Sequence, residues 1–193
     1  MAKEIKELQQ GFTRRTEIVM RVYFMETLRL GFSHWSQEDL PLAQSLWGNE
    51  EVSRFITRSG HFSEKEIQAR LDREIENDRQ YSVQYWMLFD KEHVAFLGCC
   101  GLRPFQPDNA IFEIGVHLLP QYWGKGIATE ASLATMQYAR EHLQARELFA
   151  GHHPLNTNSG KVLHRLGFAY IGDEYYGPTG LYHPSYRYIL GAD

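Results

Sequence analysis

Two glycines at the junction between an alternating apolar run and a long amphipathic stretch constrain this chain more than any other feature. The segment reads Gln121-Tyr122-Trp123-Gly124-Lys125-Gly126-Ile127-Ala128. Upstream, Ala110, Phe112, Ile114, Val116 and Leu118 alternate with Ile111, Glu113, Gly115 and His117, the period of a strand, and Pro120 ends it. Downstream, Ile127, Ala131, Ala134 and Tyr138 recur at helical spacing, which predicts a helix from about Gly124 or Lys125. The first N–H groups of a helix have no intrahelical partner and carry partial positive charge. Glycines there lack the Cβ that would hold a pyrophosphate away. The junction therefore predicts an anionic ligand of diphosphate size, although an isolated G-x-G also serves as a ligand-free turn.

Spacing narrows the choice. A dinucleotide fingerprint needs a third glycine where this chain has Thr129, and a P-loop needs its lysine after the second glycine, whereas Lys125 precedes Gly126. What remains is Q-x-x-G-x-G-x-A after a strand.

The 193 residues suffice for one domain with a substantial core, and 43% apolar with 23% charged residues is an ordinary globular balance. A formal net charge of −4 argues against nucleic acid as the main partner, since neutralising phosphates needs clustered Lys and Arg; an amine-bearing partner fits better. No apolar run approaches the roughly 20 residues that span a bilayer, and the charged start (Lys3, Glu4, Lys6, Glu7) lacks a signal peptide's apolar segment, so a cytoplasmic location is expected. Cys99 and Cys100 are adjacent in an apparent strand, where side chains point to opposite faces, so they read as two buried thiols.

Residues 1–25 form an N-terminal extension in which Ile5, Leu8 and Phe12 share a helical face; Met20 or Met25 is an alternative start. Residues 26–193 form the domain. Leu28, Leu30 and Phe32 alternate as a strand, Ser36-Gln37-Glu38-Asp39 offers a cap for a helix to about Trp47, and Ser63-Glu64-Lys65-Glu66 caps a second helix to about Asn77. Apolar runs at 81–89 and 94–102, then the motif strand, make an antiparallel meander. After the motif helix come a short strand at 148–150, a helix at 157–166 and Tyr-rich final strands. This order predicts one α/β (α+β) domain with a central, mixed, partly antiparallel sheet flanked by helices.

The motif, with Phe112-Glu113-Ile114-Gly115 before it, Ala128-Thr129-Glu130-Ala131 after it, and then Asn156-Thr157-Asn158-Ser159 leading to Leu166-Gly167-Phe168, resembles the acetyl-coenzyme A site of the GNAT superfamily of N-acetyltransferases. Thr27-Leu28-Arg29-Leu30 and Ser36-Gln37-Glu38-Asp39-Leu40 make the chain most similar to the ribosomal-protein N-terminal (Rim-type) members, from about Thr27 onward. The resemblance implies a GNAT-like sheet splayed at the acetyl-CoA site, with acetyl-CoA as cosubstrate and no metal. It implies a cofactor set of Val116, His117, Leu118, Gln121, Trp123, Gly124, Lys125, Gly126, Ile127, Ala128, Asn156 and Ser159. Gly115 would mark a bulge beside the pantetheine arm, or a simple kink.

The implied reaction is direct attack of a neutral amine on the thioester, so the protein must orient two substrates, take a proton from the amine and let the thiolate leave. Glu113 is the candidate proton acceptor, weighed against a structural ion pair. His117 shares its face but lies roughly 13 Å away at ~3.3 Å per residue, too far for a direct dyad. Asn156 and Ser159 complete the catalytic candidates, and helix capping would explain them equally well. Members of the superfamily often carry a tyrosine acid seven residues after that asparagine, and this chain has Leu163; Ser159, water, Tyr175 or Tyr176 are the substitutes. His152 and His153 lack a third metal ligand at suitable spacing. A peptide or protein α-amine, with a reference pKa of ~7.7–8.0, asks less of a base than a lysine or polyamine at ~10.4, and leads as acceptor. The alternatives are a small amine such as an aminoglycoside, polyamine or amino acid, or a non-catalytic CoA-binding regulatory domain.

Overall fold

The computed structural model describes residues 21–191; the helical face expected at Ile5, Leu8 and Phe12 lies outside them. Among the described residues the strands are β1 (Met25–Glu26), β2 (Leu30–Ser33), β3 (Tyr85–Asp90), β4 (Ala95–Gln106), β5 (Ile111–Leu118), β6 (Glu147–Gly151), β7 (Ala169–Tyr176) and β8 (Leu181–Ile189). They form one sheet in the order β1-β2-β3-β4-β5-β6-β8-β7. Every neighbouring pair is antiparallel except β5 with β6, so the sheet is mixed, as the sequence predicts. The helices are α1 (Leu40–Trp47), α2 (Glu50–Ser53), α3 (Glu64–Tyr81), α4 (Ile127–Leu143) and α5 (Thr157–Arg165).

Helices cover both faces. On one, Trp86, Leu88, Cys100, Leu102, Phe112 and Ile114 pack with Ile127, Ala131 and Met136 of α4 and Leu163 of α5. On the other, Tyr85, Met87, Phe89 and Cys99 pack with Trp47 of α1 and Ile67 and Leu71 of α3. Alternation along β4 sends the two cysteines to opposite cores, where both are fully buried.

Local signals set most boundaries. Ser63 donates from its N–H and hydroxyl to Glu66 Oε2 (2.8 and 2.7 Å), the reciprocal cap that starts α3. That helix outruns its expected end at Asn77 and closes only at Ser82 in the left-handed conformation, so residue 81 belongs to the helix and β3 begins at Tyr85. Leu28 is not a strand residue: the chain turns there, with the Thr27 N–H bonded to the Leu30 carbonyl, leaving Leu28 exposed while Leu30 and Phe32 are buried. Residues just before it are part of the packing. The Phe24 ring lies against Trp86 and Tyr138, and the Tyr23 ring fills the space over Gly31.

One topological feature positions the site. β5 pairs with β6 only through Ile111↔Glu147, Phe112↔Leu148 and Glu113↔Phe149, after which β6 continues with β8 alone. Beyond Glu113 the sheet opens into a V.

Candidate active site

The backbone of β5 faces that opening in a defined way. Register pairs Cys99 with His117 and Gly98 with Leu118, and the Leu119 N–H bonds the Leu97 carbonyl. In an antiparallel ladder bonded and non-bonded pairs alternate, so His117 exchanges its bonds with Cys99, while the N–H and C=O of Val116 and Leu118 point away from β4, into the V. The Leu118 carbonyl accepts from the Trp123 indole N–H at 2.7 Å. Val116 and the Leu118 N–H thus present backbone groups to the gap. His117 does not, so the geometry removes it from the expected cofactor set.

Gly115 sits in unbroken register with Gly101, so the expected bulge is absent. Its requirement comes from the other side of the strand: a Cβ there would lie 2.3 Å from the Tyr85 hydroxyl oxygen.

At the loop, Gly124 and Gly126 have φ of +73° and +76°, the left-handed region that glycine enters without strain. A Cβ at Gly124 would meet nothing within 4 Å, so backbone conformation rather than crowding selects glycine. Gly126 is the N-cap of α4, two residues later than expected, and supplies no side-chain oxygen to the first turn. The first N–H groups of a 17-residue helix are left facing outward, the physical basis of an anion site. Ile127 is buried in the core and anchors the helix, whereas Gln121, Trp123, Gly124 and Lys125 are exposed around it and Ala128 is half-buried. A groove of about 820 Å³ runs along α4 from Gly126 and Thr129.

An interaction not foreseen from the sequence fixes this loop to the far side of the sheet. The Arg29 guanidinium donates to Glu130 Oε2 (2.7 Å) and to the Lys125 carbonyl (3.1 Å), and Thr27 donates to Glu130 Oε1 (2.6 Å). Both partners fall in segments that the resemblance singled out; only the fold shows that they touch.

On the opposite face of β5, Glu113 Oε1 accepts from the Tyr85 hydroxyl at 3.2 Å. Burial and the Glu113 charge hold the Tyr85 phenol well above the ordinary tyrosine range, so it remains a donor. Arg103 lies 4.2 Å from the Tyr85 ring centre and pairs with the buried Glu74, whose second oxygen accepts the Tyr85 N–H at 2.9 Å. Glu113 makes no ion pair within 4 Å among the described residues, although its cross-strand neighbour Arg103, paired with Glu74, shares its electrostatic surroundings. His117 is a packed residue: its Nδ1 accepts from the Trp47 indole N–H at 3.3 Å, its ring meets Tyr85 edge-on, and burial, then Arg70 and Arg103, pushes its pKa well below the histidine range. It stays neutral, with its proton on Nε2.

Asn156 caps α5, its side chain accepting the Ser159 N–H at 3.3 Å, and Ser159 is half-buried in the first turn. Leu163 is buried under α5. Of the two tail tyrosines, Tyr175 is 60% exposed and turned toward Tyr182. Tyr176 is half-buried beside the Glu113 cluster, where burial and the Glu113 charge raise its pKa. His152 and His153 follow β6 in a loop; His152 Nε2 is 3.3 Å from the Tyr186 hydroxyl and His153 packs against Phe55 and His183.

A family model described as an acetyltransferase (GNAT) domain matches residues 29–169. An N-acetyltransferase of Bacillus licheniformis, p20, is 31% identical over 149 residues, covering 75% of this chain and 83% of that protein. The [ribosomal protein uS5]-alanine N-acetyltransferase of Escherichia coli is 29% identical over 102 residues, and the Bacillus subtilis protein YkkB 35% identical over 95. The match spans only about half of each of those two relatives, 53% and 55%. Among solved structures, the ribosomal L7/L12 α-N-protein acetyltransferase RimL in complex with coenzyme A aligns over 86% of this chain and 97% of its own, with a TM-score of 0.72 and 20% identity. The ribosomal-protein-S5-alanine acetyltransferase of Vibrio fischeri aligns over 86% and 95%, with a TM-score of 0.70 and 21% identity. At these identities the structures establish the fold.

Proposed function

The chain belongs to the GNAT acetyltransferase family, and on that premise we propose that it transfers an acetyl group from acetyl-coenzyme A to the α-amine of a peptide or protein N-terminus. The observation that carries this reading is the parting of β5 from β6, which leaves the Val116 backbone groups and the Leu118 N–H without a strand partner beside a helix start capped by glycine alone.

Acetyl-coenzyme A would supply an activated acetyl thioester. The residues present fit it: the N–H groups at Gly126 to Ala128 suit a pyrophosphate, Val116 and Leu118 suit the amides of a pantetheine arm, and Arg29 with Glu130 holds the loop in place. Gln121, Trp123, Gly124 and Lys125 form the exposed rim of that cradle. Asn156 and Ser159, at the start of α5, would complete the set.

Glu113 takes the proton of the attacking amine. Its carboxylate is oriented by the Tyr85 hydroxyl, and its other oxygen remains open to the amine or a bridging water. Tyr176, kept protonated by burial and the Glu113 charge, would return a proton to the departing sulfur in the role that Leu163 cannot fill. With His117 packed and neutral, one carboxylate serves as base, and an α-amine that is partly neutral at pH 7 suits such a site. The names of the Escherichia coli and Vibrio fischeri proteins give a ribosomal-protein alanine as acceptor, and that of RimL a ribosomal-protein α-nitrogen, in keeping with this choice.

A panel of N-terminally free peptides, their N-blocked counterparts, lysine-only peptides, polyamines and aminoglycosides, followed by thiol release, tests the reading. Turnover confined to free α-amines supports it. Turnover of polyamines or aminoglycosides alone would replace the acceptor, and tight acetyl-coenzyme A binding without turnover of any amine would make the chain a binding module.

A further inference from the structure

Arg70 stands out among the charged groups around Tyr85, the residue that donates to Glu113. It projects from α3 on the face that buries Ile67, Leu71 and Glu74, and its guanidinium carbon lies 4.8 Å from the Trp47 ring centre and 5.6 Å from that of Phe62. Its Nε is buried with no hydrogen-bond partner among the described residues. No hydrogen bond or ion pair joins it to Glu74, whose two oxygens accept instead from the Tyr85 N–H and from Arg103. Aromatic faces recover part of the lost hydration of a guanidinium, but offer no acceptor to its buried Nε–H. Burial and the like charge of Arg103 push its pKa down to about 10, still charged at neutral pH.

Position links this unmatched cation to the reaction centre. Trp47, on which Arg70 lies, donates to His117, which meets Tyr85, which donates to Glu113. The Arg70 charge also reaches Tyr176 and His117, so all of these groups share one electrostatic neighbourhood. Tyr85 and Trp47 are buried, yet Arg70, Glu113, Gly115 and Tyr176 are each only half-buried, so solvent reaches part of every one of them. Arg73, exposed two positions after Leu71 on the same helix, adds positive charge toward Tyr176.

We propose that Arg70 is a specificity-determining residue that binds a carboxylate of the acceptor, so that the preferred substrates carry an acidic group close to the reacting amine. Arginine forks onto a carboxylate through two parallel bonds, and a water-poor aromatic setting strengthens them. Two sources share this chemistry: the side chain of an acidic residue directly after the N-terminal one in a peptide, and the free α-carboxylate of a single amino acid. The proposal rests on the acetyltransferase reading above.

The test compares matched acceptors by thiol release: peptides identical but for Asp or Asn at the second position, and amino acids against their carboxamides. A charge-assisted pair predicts a preference of roughly 10- to 100-fold in kcat/KM for the acidic member of one of these pairs, carried mainly by KM. Which pair shows it identifies the source. In Arg70→Met the ratio should fall to near one, and Arg70→Lys should keep part of it, because a point charge replaces a fork. A purely structural arginine would lower both members equally and leave the ratio intact. Equal rates for acidic and neutral acceptors in the wild-type enzyme would overturn the proposal, as would an undiminished ratio in Arg70→Met. If Arg70→Met does not fold, the wild-type ratio and Arg70→Lys decide. Failure of every amine to turn over would instead sink the acetyltransfer reading itself, a result distinct from turnover without acidic preference.

Discussion

The Tyr85 hydroxyl donates to Glu113 Oε1 at 3.2 Å, and the ring that delivers it occupies the space a side chain at Gly115 would need. A glycine in β5 thus makes room for the group that orients the carboxylate two residues earlier. Glu113→Gln keeps the shape and removes the base, so kcat/KM should fall by ~10²–10⁴-fold at neutral pH with little change in acetyl-coenzyme A affinity. The acidic limb of the pH–rate profile should shift or vanish, and higher pH should partly restore the rate as the amine deprotonates unaided. Tyr85→Phe should produce a smaller loss in the same direction. An unchanged profile in Glu113→Gln would demote the residue to a structural carboxylate.

Gly126→Glu should abolish acetyl-coenzyme A binding. The position has φ +76°, which costs a residue with a Cβ roughly 1–2 kcal/mol, and the added carboxylate would face the same N–H groups that suit a pyrophosphate. Titration calorimetry on a variant shown to be folded decides this; wild-type affinity there would put the phosphate site elsewhere.

Glu130→Gln should raise the acetyl-coenzyme A dissociation constant by about 3- to 10-fold, because Arg29 would lose the charge that positions it against the Lys125 carbonyl. Arg29 is nearly half exposed, so global stability should change by less than about 1 kcal/mol. Calorimetry paired with a thermal melt separates the two effects. Equal affinity with a lowered melting point would show the pair to be a stability element alone.

His183 should make the fold acid-sensitive. It is buried against Thr179, whose hydroxyl lies 2.8 Å from Nε2, and burial, then His153 and His152, pushes its pKa from 6.5 down to about 4. Between those values the unfolded chain binds more protons than the folded one, so the contribution is complete above pH 6.5 and is lost as pH falls toward 4. The loss is at most about 3 kcal/mol. Urea unfolding at pH 7, 5.5 and 4 should show this decline, and His183→Gln should flatten it. His117, also held neutral, accounts for part of any remaining slope. An identical slope in the variant would assign the acid sensitivity elsewhere.

Local chemistry in the sequence reached most of the fold. Alternation located β5, helical spacing located α4, and the Ser63–Glu66 pair located the start of α3, because each signal depends on residues a few positions apart. Tyr85 was hidden because an aromatic residue in an apolar run reads as core, and it is core; only its hydroxyl reaches Glu113. Gly115 reads equally as a bulge or a kink, because a strand glycine signals close approach without saying what approaches. The Arg29–Glu130 link joins residues 101 positions apart, beyond any periodicity. His117 shares the Glu113 face of β5, but its backbone pairs with Cys99 and its ring is held by the indole of Trp47, 70 positions away in the chain.

The burial of both cysteines has a practical outcome for the chemistry. Cys99 and Cys100 are the only thiols in the chain, neither has any exposed surface, and burial raises both pKa values, that of Cys100 to about 11 and that of Cys99 further. A thiolate is the species that reacts with disulfides, so the folded enzyme offers none to a disulfide reagent or to the coenzyme it releases. Colour developed by such a reagent during turnover therefore counts product and not protein, and a slow second phase would time the unfolding of the chain.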